Sequence, residues 1–191
     1  MDFHTLCIGC RTYRRFKRKQ IPEEILDELL ENARIANSAM NRQPLRYVLV
    51  KNPEAVRKIQ PCFHFAAALP KELGQPKEGE QPAAFIILCT EGPETPWTGI
   101  DIGIAVRTMN LNAYIHGVGS CIIGNVEFEK VKEILSIPET WIPRLALALG
   151  YPSHKSTIVE LPEDGSVKYY LDEERQYYVP KRKRKDISII R

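Results

Sequence analysis

Two apolar runs, Ala83-Ala-Phe-Ile-Ile-Leu-Cys89 and Arg144-Leu-Ala-Leu-Ala-Leu-Gly150, leave this chain few ways to fold. Each has the length of a strand, and neither alternates apolar with polar side chains, so each predicts a strand covered on both faces. Helices can cover both faces of a sheet, and the rest of the chain supplies them.

Ile21, Ile25, Leu29 and Ala33 recur every fourth residue with Leu26 and Leu30 beside them, which predicts an amphipathic helix from about Pro22 to Ala36. Pro22 suits its first turn, and Glu23, Glu24, Asp27 and Glu28 place negative charge where the helix dipole favours it. A strand is expected over Arg46–Val50, then a helix from Pro53 towards Ala68. Pro70 to Pro82, rich in proline, glycine and charge, reads as a surface loop able to cover a site. A helix from Thr98 to His116, turns and a short strand over Gly117–Gly124, and a helix over Val126–Leu135 complete the central part. Val167–Leu171 and Tyr177–Val179 are further candidate strands. The alternation of helices and strands predicts helices packed on a sheet. Neither G-x-G-x-x-G nor G-x-x-x-x-G-K occurs, so any phosphate must be held by side chains.

The length, 191 residues, suits one domain, and no apolar run approaches the roughly 20 residues of a membrane span. The start, Met1-Asp2-Phe3-His4, does not resemble a secretory leader, so a cytoplasmic location is expected. Five scattered cysteines do not make a disulfide framework. Cys7-Ile8-Gly9-Cys10 has no second pair to complete a tetrahedral metal site, and no metal is expected. The net charge of +3 is local, since Lys181-Arg182-Lys183-Arg184-Lys185 carries five positive charges and the remainder is net negative. That run reads as a solvated tail, or an arm closing over an anionic cofactor, before it reads as a nucleic-acid patch. His64, His116 and His154 stand apart in sequence and are expected to be structural or superficial, so no catalytic side chain is assigned.

The chemistry lies in two motifs. Arg11-Thr12-Tyr13-Arg14-Arg15-Phe16 sets guanidinium groups beside a hydroxyl, the donors a phosphate monoester takes, although on residue type alone these arginines also suit a solvated surface. Asn37-Ser38-Ala39-Met40-Asn41-Arg42-Gln43-Pro44 gathers amides and hydroxyls suited to a flat heterocycle.

Together, in this order and spacing, the motifs resemble the flavin-binding signature of the nitroreductase family of FMN-dependent oxidoreductases. Gly117-Val-Gly-Ser-Cys-Ile-Ile-Gly124 looks like the family's segment against the isoalloxazine ring, and Val179-Pro-Lys-Arg182 like its terminal basic element. The resemblance spans nearly the whole chain. It implies an α+β fold, a mixed β-sheet flanked by helices, in an intertwined homodimer with FMN sites built from both subunits. Residues 151–191 are then an extension contacting the partner subunit. By the same resemblance Arg11, Thr12 and Arg14 contact FMN, as do Ser38, Ala39, Asn41 and Gln43; Ile122, Ile123 and Gly124 line the ring, and Lys181 and Arg182 neutralise phosphate. The implied reaction is ping-pong: NADH or NADPH reduces the flavin, then a nitroaromatic, quinone or similar small-molecule acceptor is reduced. A flavin-binding sensor or carrier with little turnover is the alternative. The chain departs from the family pattern at Cys10, where an arginine is usual, at Asn37 for proline, and at Ile122 for tryptophan.

Overall fold

The computed structural model describes residues 1–191, except for the side chain of Lys71. Both apolar runs are neighbouring inner strands. The main sheet has the order β1-β2-β4-β3, with β1 Leu45–Val50, β2 Ala84–Glu91, β3 Gly119–Ile123 and β4 Trp141–Gly150. Every pairing in it is antiparallel, Tyr47 opposing Leu88, Ile86 opposing Leu147 and Cys121 opposing Ala148. In a second, three-stranded sheet the named strands pair both ways, β7 (Tyr177–Lys181) running parallel to β5 (Ser156–Glu160) and antiparallel to β6 (Tyr170–Leu171).

The alternation of β2 side chains divides the core in two. Phe85, Ile87 and Cys89 face one cluster with Ala146, Ala148, Cys121 and Ile123, covered by α3 (Pro53–Ile59) and α6 (Phe128–Leu135). Ala84, Ile86 and Leu88 face the other with Leu147 and Leu149, under α2 (Glu23–Ile35) and α5 (Thr98–Ile115). Each fully buried Ile, Leu or Phe contributes about 1.5–3 kcal/mol, so this double-sided strand anchors the fold.

Pro22 caps α2, and Ile21 just before it is buried in the same cluster as Leu26, the arrangement of a hydrophobic staple. The helix expected from Pro53 to Ala68 ends at Ile59. Pro61 has no N–H to continue the ladder, a 3-10 turn follows over Gln60–Cys62, and Phe63 leaves to bridge Val126. The sequence reading missed α1 (Phe3–Gly9), capped by Asp2, and β5. Within the 70–82 loop, Lys71–Gly74 form one short helix, α4. No helix is long and apolar enough to cross a membrane among the described residues.

The carboxyl-terminal extension packs on its own chain's amino-terminal segment. Lys17 N–H donates to Tyr151 O at 2.7 Å, Ser153 N–H to Arg15 O at 3.1 Å, and Phe16 bridges Pro152. Arg15, buried, donates to the Arg175 carbonyl, and Arg175 in turn pairs with Glu80 at 3.0 Å. Burial pushes the Glu80 carboxyl up, but the Lys77 amide and the Arg175 and Arg15 guanidinium groups outweigh it and hold it below the usual range. Residues from the first 20, the 70–82 loop and the last 20 are thus tied to one carboxylate.

Candidate functional site

The Arg11–Phe16 segment lies along β3 because the sheet offers it a bare edge. Thr12 bridges Ser120, and Tyr13 N–H donates to Ser120 O at 2.9 Å. Extended geometry then alternates the side chains: Tyr13 and Arg15 turn inward, while Thr12 is exposed and Arg14 half-buried. Two glycines permit the approach. A Cβ on Gly119 would stand 2.8 Å from the Tyr13 ring, and one on Gly150 would stand 2.7 Å from the Phe16 ring.

What the segment presents outward is one wall of a cleft of about 220 Å³. Arg11, Thr12 and Arg14 line it from the amino-terminal segment, Ile122 from β3, and Tyr169, Val179 and Lys181 from the extension. Ser120 of β3 and Arg107 and Asn110 of α5 belong to it as well, and the sequence reading gave no site role to Arg107, Asn110 or Tyr169. Among the described residues no carboxylate lines the cleft, so four cations face one small space. Arg14 is held over the rings of Tyr169 and Tyr177, at 4.6 and 4.9 Å from their centroids. Such stacking fixes a guanidinium without neutralising it. Arg11, just beyond the end of α1, is oriented by donating to the carbonyls of Cys10 at 3.0 Å and Cys7 at 2.8 Å.

Beneath these cations runs a buried polar chain. The Cys10 thiol donates to Asn110 Oδ1 at 2.9 Å, Asn110 Nδ2 donates to Ser120 Oγ, and Arg107 Nη1 donates to Asn110 Oδ1 at 2.5 Å. Burial pushes the Cys10 thiol up, with Arg107 opposing, so it serves as a neutral donor.

The second motif lies elsewhere on the same subunit. Its organiser is Asp101, buried in the first turn of α5, whose carboxylate accepts from Ala39 N–H at 2.8 Å and from Ser38 Oγ at 3.3 Å. Ser38 Oγ accepts from Gln43 N–H at 2.9 Å, and Gln43 Nε2 donates to Asn41 Oδ1 at 3.0 Å. Met40, Asn41 and Gln43 take φ of 53°, 52° and 49°, the left-handed region, which costs roughly 1–2 kcal/mol per non-glycine residue. Asn37, Ser38 and Gln43 line their own groove of about 480 Å³ with Arg46 and Asp101. Asp101 and Asn110 are nine residues apart on α5, about 13 Å at the rise of a helix, and the two groups share no lining residue.

The remaining residues divide by strand alternation. Ile122 projects into the cleft, whereas Ile123 points into the core and offers only backbone. Gly124 and Arg182 are exposed outside the cleft lining. The 78–82 segment lines a different, basic groove with Lys17, Arg18 and Arg57. His154 is buried between the rings of Tyr13 and Tyr177, 5.5 and 4.8 Å away, with neither ring nitrogen hydrogen-bonded. His64 and His116 stand beside Glu127 and Glu28. The amino-terminal cysteines form no disulfide.

The chain matches the nitroreductase family over residues 9–151. It belongs to that family. A Methanothermobacter thermautotrophicus protein, named for NADH dehydrogenase and NAD(P)H nitroreductase activity, is 30% identical over 75% of this chain and 73% of its own length. The FMN reductase (NADPH) of Bacillus subtilis is 27% identical over 76% of this chain and 64% of its own. Among solved structures, a nitroreductase family protein of Clostridium difficile 630 superposes with a TM-score of 0.65 at 24% identity, covering 80% of this chain and 86% of that one. Nitroreductase membership accords with the observed helices and antiparallel sheet. The matched region contains both motifs and α5, and ends as the carboxyl-terminal extension begins.

Proposed function

We propose that this chain is an FMN-dependent NAD(P)H oxidoreductase that works as a homodimer and reduces nitroaromatic, quinone or similarly electrophilic small molecules. The observation that carries the reading is the acid-free cleft with Arg11, Arg14, Arg107 and Lys181 around the Thr12 hydroxyl and the exposed Ile122. Cations with a hydroxyl suit a phosphate monoester, and an apolar side chain beside them suits the start of a flat ring system. FMN, when bound, supplies the hydride and electron chemistry. The protein binds and orients. Arg11, Thr12 and Lys181 hold the phosphate end, Arg14 on its two tyrosines provides fixed positive charge, and no side chain acts as nucleophile.

One subunit does not make a whole site. The cleft of about 220 Å³ falls below the roughly 300 Å³ at which small-molecule pockets begin, and Ser38, Ala39, Asn41 and Gln43 are displaced along α5. That helix exposes Trp97, Ile100, Ile104 and Ile115, a seam at helical spacing, while its opposite face is buried. A second copy packed on this seam covers apolar surface and brings its own 37–44 loop towards the cleft. The left-handed residues of that loop are then set before flavin arrives, so the flavin's binding energy does not have to impose the loop's shape.

The test is spectroscopic. Purified protein saturated with FMN is mixed anaerobically with NADH or NADPH, and the flavin absorbance is followed before and after adding a quinone. Bleaching by one nucleotide and recovery with the acceptor, with parallel-line steady-state kinetics, are expected. Failure to retain FMN overturns the reading, and retention without bleaching leaves a flavin carrier.

A further inference from the structure

The cleft contains a cation that neither motif accounts for. Arg107 lies on α5, more than 90 residues from the Arg11–Arg14 segment, yet its guanidinium lines the same space. It has no carboxylate partner within 4 Å among the described residues. A half-buried arginine without a counter-ion, facing three more cations, has its charge offset when an anion enters.

Its orientation is built. Nη1 donates to Asn110 Oδ1 at 2.5 Å and lies 3.5 Å from Cys10 Sγ. Asn110, one turn on, is held from both ends, by Ser120 Oγ and by the Cys10 thiol at 2.9 Å. Nη1 is thus spent on orientation, and the Nη2 and Nε donors remain for the cleft. Cys10 occupies the position at which the sequence departs from an arginine-first pattern, and the residue is 3% exposed. A small buried residue at that position leaves room for a guanidinium arriving from α5.

We infer that Arg107 is a phosphate-binding residue of the flavin cleft, positioned by Asn110 and Cys10, and supplies from α5 the cation that position 10 does not. This rests on the FMN reading, and the ligand group is a phosphate monoester dianion. Asn110 and Cys10 are positioning residues.

The experiment compares FMN with riboflavin, which lacks the phosphate, by quenching of flavin fluorescence on titration with protein at fixed ionic strength. In Arg107→Gln the FMN dissociation constant is expected to rise about 10- to 100-fold, the range of a lost charged hydrogen-bonding group, with riboflavin binding unchanged within about twofold. Arg107→Lys recovers part of the loss. Asn110→Ala gives a smaller, equally phosphate-selective loss. Equal weakening of both flavins, or unchanged FMN binding in Arg107→Gln, overturns the assignment while leaving the flavin reading intact. Wild-type protein that binds neither flavin overturns both.

Discussion

Acidification removes stability from this protein through His154. The imidazole is enclosed by Tyr13 and Tyr177, has no hydrogen-bond partner, and lies near the charges of Arg15, Arg14 and Arg175, with Glu80 the opposing anion. Burial first, then the Arg15 and Arg14 charges, pull its pKa from 6.5 to about 4. Because the folded pKa lies below the unfolded one, the unfolded chain binds more protons between these values. Stability is therefore full above pH 6.5 and falls as pH drops towards 4. Going from pH 7 to pH 5 the loss is about 2 kcal/mol, from the ratio of proton-binding polynomials at the two pKa values. Carboxylates with lowered pKa, such as Glu80, lose their contribution lower on the scale. The assay is urea unfolding of the flavin-free protein at one concentration, at pH 7 and 5, for wild type and His154→Phe. The variant has no imidazole to protonate and keeps an aromatic ring, so its pH slope over this interval should be flatter by about 2 kcal/mol. Equal slopes would refute the argument that an uncharged His154 lies in the core.

Other perturbations separate packing from binding. Gly150→Ala places a methyl 2.7 Å from the fully buried Phe16 ring and should lower stability by about 1–3 kcal/mol in the same urea assay. Asp101→Ala frees Ala39 N–H and Ser38 Oγ and lets the strained 40–43 turn relax. Roughly tenfold weaker flavin binding is expected by fluorescence titration, with helical circular dichroism retained. Ile100→Glu puts a charge on the exposed seam of α5. It should yield monomers on analytical ultracentrifugation and lose FMN with them, whereas a flavin-loaded monomer would contradict a site shared between subunits. Arg14→Ala removes the stacked cation and should weaken FMN retention about tenfold or more, measured as bound flavin after gel filtration.

The sequence disclosed most where periodicity and burial coincide. The runs of β2 and β4 read correctly as strands with two covered faces, because uninterrupted apolar side chains have no other stable placement. Their antiparallel pairing was not legible, since burial on both faces does not fix direction. For α2, staple and dipole agreed with the stripe, and the ends fell within a residue of expectation. The helix after Pro53 was overrun because Pro61 and the Phe63–Val126 bridge outweighed local propensity. In the site, Arg11, Thr12, Arg14, Ile122 and Lys181 line one cleft, whereas Ser38, Ala39, Asn41, Gln43, Ile123, Gly124 and Arg182 do not. Arg107, Asn110 and Asp101 carried no local signal. They sit in a largely apolar helix, and the missing counter-charge marks Arg107 alone, in the structure. Asparagine and aspartate inside so apolar a helix were the one available hint, since buried polar groups need partners.

The lining of the cleft begins at Cys10 and ends at Lys181, so it draws on almost the full length of the chain. A polypeptide emerging from the ribosome holds the residues of both faces of β2 once β4 has appeared, but its cleft lacks Tyr169, Val179 and Lys181 until the extension follows. A chain cut short after Gly150 contains every strand of the main sheet and both motifs, yet lacks Tyr169, Tyr177 and Lys181, three of the side chains that define or brace the cleft.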